Sequence, residues 1–284
     1  MIWKIRGKEV PLDKTLLVGV LNLTPDSFSD GGDLLDPARA VARAGELIEA
    51  GADILDVGAE STRPGADPVS SDDELLRLLP VLQALCKHYS VPLSVDTTKP
   101  EVAYVCLQEG AHIINDVSGS GSQFDVSMAH MARDFGAGLI MMHRRGTAET
   151  MQSLTAYDDV IAEVVTELRD GVDQALSTGL DKSSVVIDPG LGFAKTAEQN
   201  LQILRNIERF NILDLPVMIG PSRKSFLGTV TGREVHGREY ATAAVVAYAV
   251  MKRIPLVRVH QVGAMRDVVK IIQAIEGEKY VRTF

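Results

Sequence analysis

Eight short apolar runs, each followed by a stretch with helical spacing, divide nearly the whole chain into β-then-α units. The runs are Leu16–Asn22, Ala52–Gly58, Leu93–Thr97, His112–Val117, Gly138–His143, Val185–Pro189, Pro216–Gly220 and Leu256–Val262. They are too short for helices and nearly continuous in apolar character, as strands buried on both faces of a parallel sheet must be. Helices are expected over residues 37–50, from Ser71, from Pro100, over 157–177, after Thr196, over 239–252 and over 264–274. Asp36 as N-cap with Pro37 at the first helical position starts one of them. Ser71 to Glu74, Thr98 to Glu101 and Thr196 to Gln199 read as capping boxes for three others. Eight such units in a chain of this length favour a closed TIM (β/α)8 barrel over an open doubly wound sheet. The Gly-x-Gly-x-x-Gly turn that a dinucleotide-binding sheet places after its first strand is absent. Residues 1–12 read as an N-terminal β-hairpin turning near Gly7-Lys8. With no linker or low-complexity segment, residues 1–284 are expected to form a single domain.

A formal net charge of −9 excludes the basic surface expected of a nucleic-acid binder. It leaves room for local anion sites, because a cluster of Arg, Lys and helix N-termini outweighs a distant global charge. No apolar run approaches the roughly 20 residues needed to span a bilayer. Residues 1–9 lack an apolar signal core, so a cytoplasmic location with no membrane contact is expected. Cys86 and Cys106 both fall in expected helices and read as reduced core thiols.

Polar residues gather where the strands end: Asn22, Asp56, Asp96, Asn115 with Asp116, His143, Asp188, Ser222, and Arg258 with His260. One buried polar group costs roughly 1–3 kcal/mol unless it is paired. A whole set at the C-terminal end of one barrel points to a site, because that face carries the active site in barrel enzymes. Arg258 and His260 are two apart on a strand and share a face. Together they suit a phosphate or carboxylate oxygen, the alternative being an internal ion pair between Arg258 and an acidic strand end. Ser222-Arg223-Lys224-Ser225 adds cations and hydroxyls. Asp96, Asn115 and Asp188 offer acceptors and an amide for the NH-rich edge of a planar heterocycle. The first strand ends at Asn22 and opens into a polar loop through Thr24 to Gly32, expected to act as a mobile lid with Gly31 and Gly32 as hinges.

These residues carry a resemblance over essentially the whole chain. Asn22 to Gly32, Gly51 to Gly65, Ser94 to Thr97, Ile114 to Gly119, Asp188 to Phe193, Ser222 to Gly228 and Arg258-Val259-His260 together resemble the dihydropteroate synthase family. The resemblance implies condensation of 6-hydroxymethyl-7,8-dihydropterin diphosphate with 4-aminobenzoate, giving 7,8-dihydropteroate and diphosphate in folate synthesis. It further implies that Asp96, Asn115, Asp188 and Lys224 hold the pterin ring. Arg258 and His260 would take the diphosphate, with Asn22 contributing through Mg2+. Thr62, Arg63, Pro64 and Ser222 would form the aminobenzoate pocket, with Phe193 and Lys224 beside it. A homodimer is also implied, and Asp96, Lys224, Arg258 and His260 are the residues expected to act in the chemistry.

Other readings stay open. Lys224 at a barrel mouth suits a Schiff-base aldolase. A methyltetrahydrofolate-dependent methyltransferase uses a related barrel, and a non-catalytic pterin-binding paralogue would share most of the motifs. Four positions depart from the family's usual pattern: Ala59 and Ala194 stand where glycine is usual, Ala148 where proline is frequent, and Gln261 where an acid is common.

Overall fold

A computed structural model describes residues 1–24, 37–61 and 65–277. The chain opens with a hairpin of β1 (Ile2–Ile5) and β2 (Lys8–Pro11), paired antiparallel with Ile5 opposite Lys8. Arg6 and Gly7 make the two-residue turn, both at positive φ (45° and 75°), as a tight hairpin of this type requires.

Eight parallel strands follow: β3 (Leu16–Asn22), β4 (Ile54–Gly58), β5 (Leu93–Thr97), β6 (Ile113–Asp116), β7 (Gly138–Met142), β8 (Val185–Asp188), β9 (Met218–Ile219) and β10 (Leu256–Val259). They pair in the order β8-β7-β6-β5-β4-β3-β10-β9. A parallel bridge between Ile187 and Val217 brings the two ends of that sheet together. The expected (β/α)8 barrel with its N-terminal hairpin is therefore present. Between the strands run α1 (Pro37–Glu49), α2 (Ser71–His88), α3 (Pro100–Gln108), α4 (Val126–Phe135), α5 (Val160–Ser177), α6 (Ala197–Arg205), α7 (Ser225–Thr231), α8 (Glu239–Met251) and α9 (Val262–Ile275).

Side chains alternate along each strand, so a residue's parity decides where it lies. Leu17, Leu21, Leu55, Val57, Leu93, Val95, Ile114 and Leu139 pack outward with the helices in the main core. Val18, Ile54, Ile113, Ile140, Val186, Met218 and Leu256 point inward and form a second core with Trp3, Ile5 and Leu12. The hairpin thus plugs the N-terminal end of the barrel. Gly138 makes room for it, since a Cβ there would stand 2.6 Å from Ile5 and 2.8 Å from the Trp3 ring. The Trp3 indole nitrogen donates to the Ser184 carbonyl at 2.9 Å, so the plug buries no unpaired polar atom of Trp3.

Three expectations need correction. The cap of α2 is Ser70, one residue earlier than expected; its side chain accepts from the Asp73 amide, and Glu74 is buried against Lys99 instead of closing a box. The expected box at Thr98 to Glu101 is absent, because Lys99 occupies the N-cap and Glu101 accepts from Ser71 Oγ. The box at Thr196 and Gln199 is complete. Cys106 is buried as expected, whereas Cys86 is exposed on α2. α4 was not separately expected from the sequence; Asp125 caps its start, and Gly136 ends it in the left-handed conformation. Asp36 and the expected lid residues 25–32 lie outside the described residues.

Candidate active site

Counting by twos up the barrel wall from the inner core leads to polar residues. Ile54 is followed by Asp56 and Gly58, Ile113 by Asn115, Val186 by Asp188 and Leu256 by Arg258. On β5 the same face carries Ser94 and Asp96. The register places Asn22, Gly58, Asp96 and Asn115 side by side across β3 to β6. Gly58 gives this row its spacing, since a Cβ there would stand 3.3 Å from Asp96 Cβ.

Arg258 organises the centre. Its Nε donates to Asp56 Oδ2 at 2.6 Å and its Nη2 to Asp96 Oδ2 at 2.6 Å. Asn115 Nδ2 also donates to Asp56 Oδ2, at 3.2 Å. The ion pair weighed as an alternative for Arg258 is therefore real, and it is built into the same place as the expected site. Asp56 Oδ1, Asp96 Oδ1 and Asn115 Oδ1 are buried and find no hydrogen-bond partner among the described residues. Buried acceptors are satisfied in the great majority of cases, so three orphaned together mark a surface made for a donor-bearing ligand. Burial, together with the nearby Asp56 and Glu74 carboxylates, pushes Asp96 up to about 7 against the opposing pull of Arg258 and Lys224.

Asp188 stands on the neighbouring wall. Its Oδ1 accepts from the Gly190 amide at 2.7 Å, and burial pushes it up to about 6, opposed by that hydrogen bond and by Lys224, Lys195 and Arg258. Lys224 Nζ lies over the Phe193 ring, 3.9 Å from its centroid. Ser222 Oγ is 2.9 Å from His260 Nδ1 and accepts from the His260 amide at 3.3 Å. Arg223, between Ser222 and Lys224, adopts a positive φ of 61°. Its Nε pairs with Glu239 at 2.6 Å and its amide donates to Thr242, which ties the Ser222–Lys224 turn to the start of α8.

The structure thus brings together Asp96, Asn115 and Arg258, pairs Ser222 with His260, and sets Lys224 against Phe193. Thr62, Arg63 and Pro64 lie outside the described residues. Two strand-end residues face away from the mouth. Asp116 and His143 have outward parity; His143 Nε2 lies 3.0 Å from Glu167 Oε2 on α5, and Asp116 Oδ1 accepts from the Ser118 amide. Asp56 is the residue that sequence reasoning left out of the site although it stood among the strand ends. Its signal was parity, two residues above Ile54.

For a divalent cation, the donor set decides. Among the described residues no group of three His, Cys, Asp or Glu is arranged to hold a metal ion. Mg2+ seldom needs such a cage, because it keeps several waters and is carried to its site by substrate phosphates with one or two protein oxygens. An amide oxygen from Asn22 at the tip of β3, in the same row as Asp96, fits that sparse pattern.

The sequence model described as "Pterin binding enzyme" matches residues 18–260. A dihydropteroate synthase of Synechocystis is 41% identical over 263 residues, covering 92% of this chain and 90% of its own. The Xanthomonas albilineans dihydropteroate synthase with 4-aminobenzoic acid superposes with a TM-score of 0.90 at 38% identity, covering 98% of this chain and all of its own. The Thermus thermophilus dihydropteroate synthase in complex with 6HMPPP gives 0.83 at 38% identity over 98% of this chain and 100% of its own.

Proposed function

The chain belongs to the pterin-binding enzyme family, and we propose that it catalyses the dihydropteroate synthase reaction. The substrates are 6-hydroxymethyl-7,8-dihydropterin diphosphate and 4-aminobenzoate; the products are 7,8-dihydropteroate and diphosphate. Relatives carrying that activity match it over nearly its whole length. The observation that carries the reading is the trio of buried acceptors on Asp56, Asp96 and Asn115, which suits the ring N–H and amino donors of a pterin.

The bond that breaks joins the pterin CH2 to a diphosphate oxygen, and the bond that forms joins that carbon to the aminobenzoate nitrogen. The electron-rich ring favours a loose displacement. The Asp96 carboxylate stabilises positive charge spreading into the pterin, and N–H donors from the ring favour its ionised form. Asn115 and Asp188 orient the ring, and Lys224 lies along it. Arg258, held in place by Asp56 and Asp96, and His260, held by Ser222, stabilise negative charge on the departing oxygens. Mg2+ held at Asn22 would neutralise charge on the diphosphate. The aminobenzoate amine is a competent nucleophile near neutral pH and loses its proton to solvent after attack. Ser222 takes the aminobenzoate with Phe193 and Lys224 beside it, and the resemblance assigns Thr62, Arg63 and Pro64 to the same substrate.

The chain works as one barrel domain that pairs with a second copy. α8 carries apolar residues on every face; Tyr240 is 92% exposed and Met251 59%. On α9, which packs against α8, Ile271 and Ile275 are 60% and 75% exposed. Large apolar side chains left exposed on two packed helices support this pairing. Among the described residues no helix is long and apolar enough to cross a membrane.

Diphosphate release tests the reading, with the pterin diphosphate, Mg2+ and 4-aminobenzoate each omitted in turn. Release that requires all three is expected. Pterin binding without aminobenzoate-dependent release would identify a non-catalytic paralogue.

A further inference from the structure

The loop from β8 to α6 carries Phe193 and rests on a buried charged cluster that the reaction does not use. Within it Gly190, Gly192 and Ala194 all have positive φ, at 69°, 83° and 49°. A Cβ at Gly190 would stand 1.9 Å from the His143 carbonyl oxygen, so the loop lies directly on the end of β7. Ala194 already has a Cβ in a conformation that side chains disfavour. Such a turn persists only when its surroundings over-determine it.

Lys195 supplies that constraint. It is buried, and its Nζ lies 2.9 Å from the Phe193 carbonyl oxygen, 3.1 Å from that of Gly190 and 2.8 Å from His143 Nδ1. An ammonium has three protons and no acceptor, so these three acceptors use all of them. The arrangement makes His143 a neutral ring that accepts at Nδ1 and donates from Nε2 to Glu167. Burial holds His143 down at about 4, helped by the Lys195 and Arg145 charges and opposed by Glu167. Arg145 closes the outer side, donating to Glu163 at 2.8 Å and to Glu167, and lying 3.9 Å over the Tyr157 ring. The charged groups acting on Lys195 are Asp188 and Glu167, which favour its ammonium form, and Arg145 and Lys224, which oppose it; burial is the largest effect and lowers it to about 7.

We propose that Lys195 is a positioning residue for the aminobenzoate half of the reaction. By clamping the carbonyls of Gly190 and Phe193, it fixes the Phe193 ring against Lys224 Nζ and so sets where both stand. The inference rests on the dihydropteroate synthase reading.

A double-mutant cycle on steady-state kinetics tests it, using Lys195→Met, Phe193→Leu and the combination. Lys195→Met is expected to raise KM for 4-aminobenzoate by about tenfold, with a smaller change in kcat. In the double variant kcat/KM falls no further than in the worse single variant, because Lys195 acts through Phe193. An unchanged KM, or losses that multiply, would overturn the proposal. Should Lys195→Met fail to fold, Glu167→Gln takes its place, at a partly exposed carboxylate. Removing that negative charge destabilises the Lys195 ammonium, so the alkaline limb of the kcat/KM profile moves to lower pH. An unmoved limb overturns the proposal. A wild-type protein that releases no diphosphate fails the parent reading and takes this one with it; an active wild type with multiplicative losses fails this inference alone.

Discussion

The same barrel strands run between two unlike ends. At the N-terminal end their inward residues meet Trp3, Ile5 and Leu12 in a closed apolar core. Two residues further along, the same faces present Asp56, Asn115, Asp188 and Arg258, with Asp56 Oδ1 and Asn115 Oδ1 buried and unpaired. One end is packed as a structure needs to be. The other keeps polar atoms buried at a cost that folding alone does not explain. The contrast teaches that the position along a strand, as much as its sequence, separates residues that hold the barrel from residues that use it.

Substitutions at the two ends therefore differ in what they do to the kinetics. The largest effect is expected from Asp96→Ala, which removes the carboxylate from the centre of the mouth. Turnover in the diphosphate-release assay should fall by at least about 10³-fold. Near-normal kinetics would break the contrast at its strongest point. Arg258→Ala should strip two buried carboxylates of their common partner and lower stability by about 3–5 kcal/mol in chemical denaturation. In whatever folds, KM for the diphosphate substrate should rise far more than KM for 4-aminobenzoate. At the plugged end, Trp3→Ala should cost a similar about 3–5 kcal/mol while leaving both KM values unchanged. A changed KM there would show that the plug reaches the site.

pH separates the ends more gently. Asp96 and Asp188 are raised to about 7 and about 6, against an unfolded value of about 3.9. The folded protein therefore holds protons that the unfolded chain has released. The contribution of these groups to stability is greatest below about pH 4 and is lost as pH rises to about 7, by up to about 1.4 kcal/mol per pH unit for each group. Asp188→Asn should flatten part of that slope in denaturation curves between about pH 4 and 6; an unaltered slope would place its carboxyl in an ordinary environment. The smallest effect is expected at Ala194. A residue with a Cβ pays roughly 1–2 kcal/mol for the left-handed conformation, and glycine returns part of that as backbone entropy, so Ala194→Gly should stabilise by about 0.5–1 kcal/mol. Lower stability would mean that the turn carries no strain.

The barrel was legible because its strands are short, apolar and regularly spaced. β3 and β5 have the bounds that their apolar runs mark. The mouth was legible in part. Asp96, Asn115, Asp188 and Arg258 stand out as polar ends of apolar runs, but Asp116 and His143 look the same in the sequence and face outward. Their parity is fixed by the inner core, which only the folded register reveals. Ser70 rather than Ser71 capping α2 is a one-residue difference of the kind that competing serines leave open. Lys195 gave no signal, because its partner His143 is 52 residues away and the carbonyls it holds are backbone atoms of its own loop. The turn at Ala194 was visible only as a departure from the family's glycine; its φ of 49° supplies the physical reason for that glycine.

Calorimetric titration of 6-hydroxymethyl-7,8-dihydropterin diphosphate into the wild-type protein and into Asp96→Asn tests the central claim most directly. That claim is that the orphaned acceptors at the barrel mouth bind the pterin. One site per chain is predicted for the wild type, with affinity reduced by about 10²-fold or more in the variant. Equal affinities in two equally folded proteins would contradict it.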